Sequence, residues 1–118
     1  MKSFLIFTLL GFIFLAGCAT DNKLFYWGDY SETLYAFKKS PDEKTAAEHK
    51  KMLLKIINES PEKDKRVPPG VYAEYGYMLL QEKKDEEGMQ FINKEESLYP
   101  ESAVFIQRLK DEIARGKK

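Results

Sequence analysis

The sequence predicts an all-α protein: about five helices, paired as antiparallel hairpins with a last helix closing the array. Three observations carry this. Trp27, Tyr30, Leu34 and Phe37 recur at the spacing of one helix face. Ser40-Pro41-Asp42-Glu43 has the form of a helix start, and the apolar residues beyond it keep helical spacing. Finally, Gly76 and Gly88 are small where two helices would have to approach closely, and Pro100 stops the second of them.

The chain begins with a different kind of element. Met1-Lys2-Ser3 supplies a short positive end, and Phe4 to Ala16 is almost continuously apolar. That is the layout of a secretory signal. A spanning helix needs roughly 20 apolar residues, and this run ends before polar Thr20, Asp21 and Asn22. Removal of residues 1–17 is therefore expected, followed by a polar tether over 18–23 and a folded domain over 24–118. An ordinary signal ends in an A-x-A-like site, whereas Leu15-Ala16-Gly17 leads directly into Cys18, the only cysteine. With one cysteine there is neither an intramolecular disulfide nor a multi-cysteine metal site.

Leu15-Ala16-Gly17-Cys18 resembles the lipobox of bacterial lipoproteins. The resemblance implies that Cys18 receives a diacylglycerol thioether, becomes the new N-terminus and is N-acylated; the alternative is a free or buried thiol. Each buried methylene contributes about 0.8 kcal/mol, and two or more chains anchor stably where one does not. Ala19 follows, not aspartate, which under the enteric sorting rule implies the outer membrane, with the periplasmic face expected.

Composition excludes one class of partner. Loss of the signal takes one lysine, leaving 18 basic against 19 acidic residues. That balance is no footprint for nucleic acid. Four of the eight phenylalanines lie in the signal, so the mature core must lean on tyrosines and aliphatics.

Leu24-Phe25-Tyr26-Trp27 opens the domain, and Asp29 or Ser31 is placed to cap a helix through Phe37. The aromatic stripe reads as core, with a ligand-stacking surface as the alternative. For the second helix, Ser40 is the expected N-cap, Pro41 the first helical residue and Glu43 the partner in a capping box. It should run through His49, Met52, Leu53 and Ile56-Ile57 until Asn58 to Pro61 stop it. His49, the sole histidine, reads as an ordinary surface or boundary residue. Pro61 to Pro69 is charged and proline-punctuated, a loop that is either fixed or mobile.

From Pro69 a unit of about 34 residues places Tyr72, Tyr75, Gly76 and Leu79 on a first helix, Gly88 and Ile92 on a second, and Pro100 at its end. These positions resemble the tetratricopeptide repeat. Glu95 departs from the pattern, standing where the repeat has a small apolar residue; either the end of the second helix is loosened or the register lies one residue away. Trp27 to Pro61 aligns as a degenerate first copy. Glu101 to Gly116, with Val104, Phe105, Leu109 and Ile113 apolar, is expected to be a solubilising last helix.

Proteins of the repeat kind present a groove from the first helix of each hairpin. Carried over by position, the groove here takes Glu32 and Tyr35 from the first copy and Ala73, Tyr77 and Gln81 from the second. Tyrosine suits an interface because it buries area while keeping a polar end. The opposing reading has Tyr35 and Tyr77 packing internally.

The residues offer no catalytic constellation. Cys18 is consumed by lipid, and His49 has no nucleophile identified beside it. Asp85-Glu86-Glu87 suits the first turn of a helix, and Glu95-Glu96 reads as a charged helix face. Gly70, Gly76 and Gly88 are isolated and form no phosphate loop. No enzymatic activity, cofactor or metal is expected.

Across the mature chain, lipobox, Trp27-Gly28-Asp29-Tyr30 and the Pro69 to Pro100 unit together resemble a family of small proteobacterial lipoproteins of unknown function. Its members are typically encoded beside a curli-channel-like lipoprotein and a third small lipoprotein. The resemblance implies a non-catalytic accessory subunit that contacts other envelope lipoproteins. A cell-wall glycan-binding role, with Tyr26, Trp27 and Tyr35 stacking on sugars, is the alternative.

Overall fold

The computed structural model describes residues 23–116; the signal segment, Cys18 and the last two lysines lie outside the described residues. Five α-helices follow in order: α1 (Tyr30–Lys39), α2 (Glu43–Glu62), α3 (Val71–Gln81), α4 (Asp85–Leu98) and α5 (Ala103–Gly116). A 3-10 turn at Pro100–Ser102 joins the last two. Among the described residues the only strand-like pairing is one parallel bridge between Phe25 and Arg66. Short connections at Ser40 to Asp42 and Glu82 to Lys84 fold α1 back on α2 and α3 back on α4. The result is two hairpins and a terminal helix.

The tightest packing is between α3 and α4, and its cause is visible at two glycines. A Cβ built on Gly76 would stand 2.6 Å from the Gly88 carbonyl oxygen, and one on Gly88 would stand 2.7 Å from that of Gly76. Each backbone occupies the space a side chain would take from the other. Lys83 makes the tight turn between them at φ 65°.

The main core gathers Leu53, Ile56 and Ile57 of α2 with Val67, Val71, Tyr72, Tyr75 and Leu79. A second cluster joins Ala73, Leu80 and Ile92 to Ile106 of α5. Of the α1 stripe, Tyr30, Leu34 and Phe37 are half-buried, whereas Trp27 precedes the helix and is 42% exposed. On α5 the fully buried residue is Ile106. Val104 and Phe105 point outward, because a terminal helix has neighbours on one side alone.

Two local expectations are corrected and one open reading is resolved. α2 is capped by Asp42, not Ser40. The Asp42 side chain accepts from the Thr45 N–H at 2.8 Å, and the Thr45 hydroxyl oxygen accepts from the Asp42 N–H at 3.2 Å. Threonine thus does what glutamate was expected to do, and Pro41 falls before the cap. The helix also continues through Pro61, where proline forfeits a single bond in the last turn. The Pro61 to Pro69 loop is fixed: Val67 and Pro68 are buried, the Tyr99 hydroxyl donates to the Val67 carbonyl, and Arg66 lies 5.1 Å over the Tyr99 ring.

Glu95 resolves its own departure from the repeat pattern. It is 2% exposed, not part of a charged face, and its Oε1 accepts from the Gly70 N–H at 2.5 Å, the N-cap amide of α3. Helix starts leave such amides unpaired, and Gly70 itself has no side chain to cap them. Burial pushes the Glu95 carboxyl above its usual range, and the amides of Gly70, Ala73 and Tyr72 pull it partly back. The end of α4 is not loosened; it is tied to the start of α3.

Candidate functional site: the groove between α3 and α5

Val71, Tyr72, Tyr75 and Leu79 turn one side of α3 into the core, which leaves Ala73, Tyr77 and Gln81, four residues apart, along another. α5 docks through buried Ile106, with Leu109 and Ile113 half-buried beside it, and a groove of about 420 Å³ stays open between the two helices. Gly70, Ala73, Glu74 and Tyr77 form one wall, and Phe105, Leu109 and Glu112 form the other. Past Tyr77 a second recess of about 610 Å³ continues over Leu80, Gln81 and Ile113. Tyr77 and Phe105 are 42% and 59% exposed, so two aromatic rings stand at the mouth of a largely apolar trough.

Of the five residues expected to bind a partner, the structure brings three to this surface. Ala73, buried, is its floor, and Tyr77 and Gln81 are its rim. Glu32 and Tyr35 are exposed on α1 and line neither recess. Nor do the aromatics of the opening segment form one platform. Tyr26 and Trp27 share a recess near the N-terminal end, while Tyr35 stands apart with Lys39 over its ring at 5.8 Å. The wall contributed by α5 was missed, because the last helix reads in sequence as a cap.

Behind the groove lies a polar network that sequence reasoning also missed. His49 is fully buried rather than at the surface. Its Nδ1 is 2.8 Å from the Thr33 hydroxyl, and its Nε2 is 2.7 Å from Glu74 Oε1. The Tyr30 hydroxyl donates to Glu74 Oε2 at 2.8 Å. The signal was present in the spacing: His49, Leu53, Ile56 and Ser60 lie on one face of α2, and all four are buried. Burial pushes the Glu74 carboxyl up, but hydrogen bonds from His49 and Tyr30 outweigh it, and the group ends below the usual carboxylate range. Burial and the same carboxylate hold the Tyr30 phenol well above its usual value.

Hydroxyl, imidazole and carboxylate stand here in the order of an acyl-transfer triad. Their setting differs. The Thr33 hydroxyl is also 3.1 Å from the Tyr30 carbonyl, one turn back, and the imidazole is sealed from solvent. The groove opens on the carboxylate end. What the network does is tie α1, α2 and α3 together and fix an ionised carboxylate in the groove wall. Among the described residues, no three His, Cys, Asp or Glu side chains gather as a metal site would need. No described helix is long and apolar enough to cross a membrane.

Fold and groove together define an all-α module of two helical hairpins whose terminal helix walls an open apolar trough. The chain belongs to the family described as Domain of unknown function (DUF4810), the match covering residues 24–109. It takes in α1 to α4 and the first half of α5, including Phe105 and Leu109. No curated protein and no solved structure matches the chain.

Proposed function

We propose that this protein is an outer-membrane lipoprotein, anchored through Cys18 at the periplasmic face, that works without catalysis as an accessory subunit of an envelope lipoprotein assembly. The groove between α3 and α5 carries the reading. Its floor is apolar and its rim holds two exposed aromatics, the kind of surface on which a helix or extended segment docks. Buried aromatic anchors dominate the affinity of such contacts. The expected partner is another envelope lipoprotein, of the curli-channel-like kind that the sequence resemblance suggests. The lipobox supports the anchor, and the tetratricopeptide-like spacing of Tyr72, Tyr75, Gly76 and Leu79 supports the interaction role.

The test is in-cell crosslinking from photoreactive residues placed at Tyr77 and at Phe105, with exposed Lys63 as control. One protein captured from both groove positions and not from Lys63 is the expected result. Capture from none of the three would end the adaptor reading.

A further inference from the structure

The opening segment forms a second surface, and it lies at the end of the domain where the tether arrives. Phe25, Tyr26 and Trp27 enclose a recess of about 480 Å³ with Lys23, Lys55 and Lys65; Asp29 is the one acid in its lining. The segment is held in place. Phe25 bridges to Arg66, and Gly28 turns the chain at φ +48° where an added Cβ would meet the Met52 sulfur and the Tyr26 ring. Leu24 and Trp27 are thereby presented outward, 62% and 42% exposed. Lys55 also pairs with Glu59 at 4.0 Å, but a surface pair of that length is weak, and the lysine side chain stays 47% exposed.

Two arguments identify what this edge faces. Lys23 lies five positions beyond Cys18, so even a fully extended tether spans about 18 Å. An acylated Cys18 would therefore keep this edge within about 18 Å of the bilayer surface. The chemistry also matches. Tryptophan and tyrosine favour the headgroup level of a membrane, and lysines extend apolar stems along it while their ammonium groups meet phosphate.

We propose that the Leu24–Trp27 edge, with Lys23, Lys55 and Lys65, docks directly on the phosphate headgroups of anionic phospholipid, giving the protein a second membrane contact besides its acyl chains. This rests on the lipid anchor at Cys18. Docking fixes the orientation of the domain. The α3–α5 groove shares no lining residue with this edge, so it stays open to a partner while the edge is occupied.

The test uses the full lipidated chain in vesicles, with Trp27, the only tryptophan, as reporter. Lipids brominated just below the headgroup quench it on contact. Strong quenching is expected in phosphatidylglycerol-containing vesicles and weaker quenching in phosphatidylcholine alone. A K23Q/K65Q variant should float with the vesicles as before, yet its ratio of docked to undocked chains should fall, by at most about five-fold for each lysine. A chain that floats with Trp27 unquenched overturns the docking and leaves the anchor standing. Equal quenching in both vesicle types, unchanged in K23Q/K65Q, overturns headgroup recognition. A chain whose mass shows no lipid and which does not float removes the anchor and the docking together.

Discussion

Replacing Gly76 by alanine tests the helix contact on which the whole module depends. In an exposed helix, glycine to alanine gains about 1 kcal/mol from the lower backbone entropy of the unfolded chain and better helix propensity. Here the new methyl would lie 2.6 Å from a backbone oxygen of α4, well inside the 3.4 Å at which ordinary contact begins. A carbonyl cannot swing aside as a side chain can, so α3 and α4 must part by most of an ångström along their length. Overpacking of that kind costs about 1–3 kcal/mol, to which loosening around Ile92 and Phe91 adds, and the sum exceeds the propensity gain. We expect G76A to lose about 2 kcal/mol, read as a lower urea midpoint by circular dichroism. Gly116, with nothing within 4 Å of its added Cβ, is the control, and G116A should be neutral or slightly stabilised. If G76A unfolds at the same urea concentration as G116A, the two helices do not meet backbone to backbone, and the packing described above is wrong.

Truncating His49 to alanine leaves the Glu74 carboxylate and the Thr33 hydroxyl without their shared partner and opens a cavity; a loss of about 3 kcal/mol is expected in the same urea assay. For Glu95, the alanine variant loses the tie to the Gly70 amide and some core volume and should cost about 1–3 kcal/mol, whereas E95Q keeps an acceptor oxygen without the buried charge and should stay within about 1 kcal/mol of wild type. The Glu74 carboxyl is held below its ordinary 4.5, so its contribution is complete above that pH and is lost as pH falls through the lower folded value; the urea midpoint should drop on acidification below 4.5, and less so in E74Q. Glu95 has the opposite sign, being raised, so E95Q should make the acid loss steeper. At the groove, Y77A and F105A should each weaken partner capture by about thirty-fold, with the circular dichroism spectrum unchanged.

What could be read from the residues depended on whether a single element decided the matter. The five helices follow from apolar spacing and from Pro and Gly punctuation, which act within a few residues. Ala73, Tyr77 and Gln81 were placed together by the tetratricopeptide resemblance, and α3 does set them four residues apart along one face. Phe105 and Leu109 were not, since whether a terminal helix seals an edge or stands off from it depends on where Ile106 seats. His49 and Glu95 were misread for a shared reason. A polar side chain looks like surface until its partner is known, and their partners lie 25 residues away in each case.

Those two buried groups also decide how the groove can be tested. Glu74 lines it, and an acidic wall invites the substitution of that residue. Yet both of its oxygens are already engaged, one by His49 and one by Tyr30. Removing the carboxylate would break the polar ties of α3 to α1 and α2 as well as change the groove, and a loss of binding would have two causes. Ala73 is no better, since it belongs to the cluster with Leu80, Ile92 and Ile106, and a larger residue there would displace α5. Tyr77 and Phe105 differ: each projects from its helix, and neither has a hydrogen-bonded partner to abandon. Their loss removes contact area from the trough and little from the core. A failure of Y77A or F105A to bind therefore reports on the groove itself, and a partner that still binds both variants must be held elsewhere on the molecule.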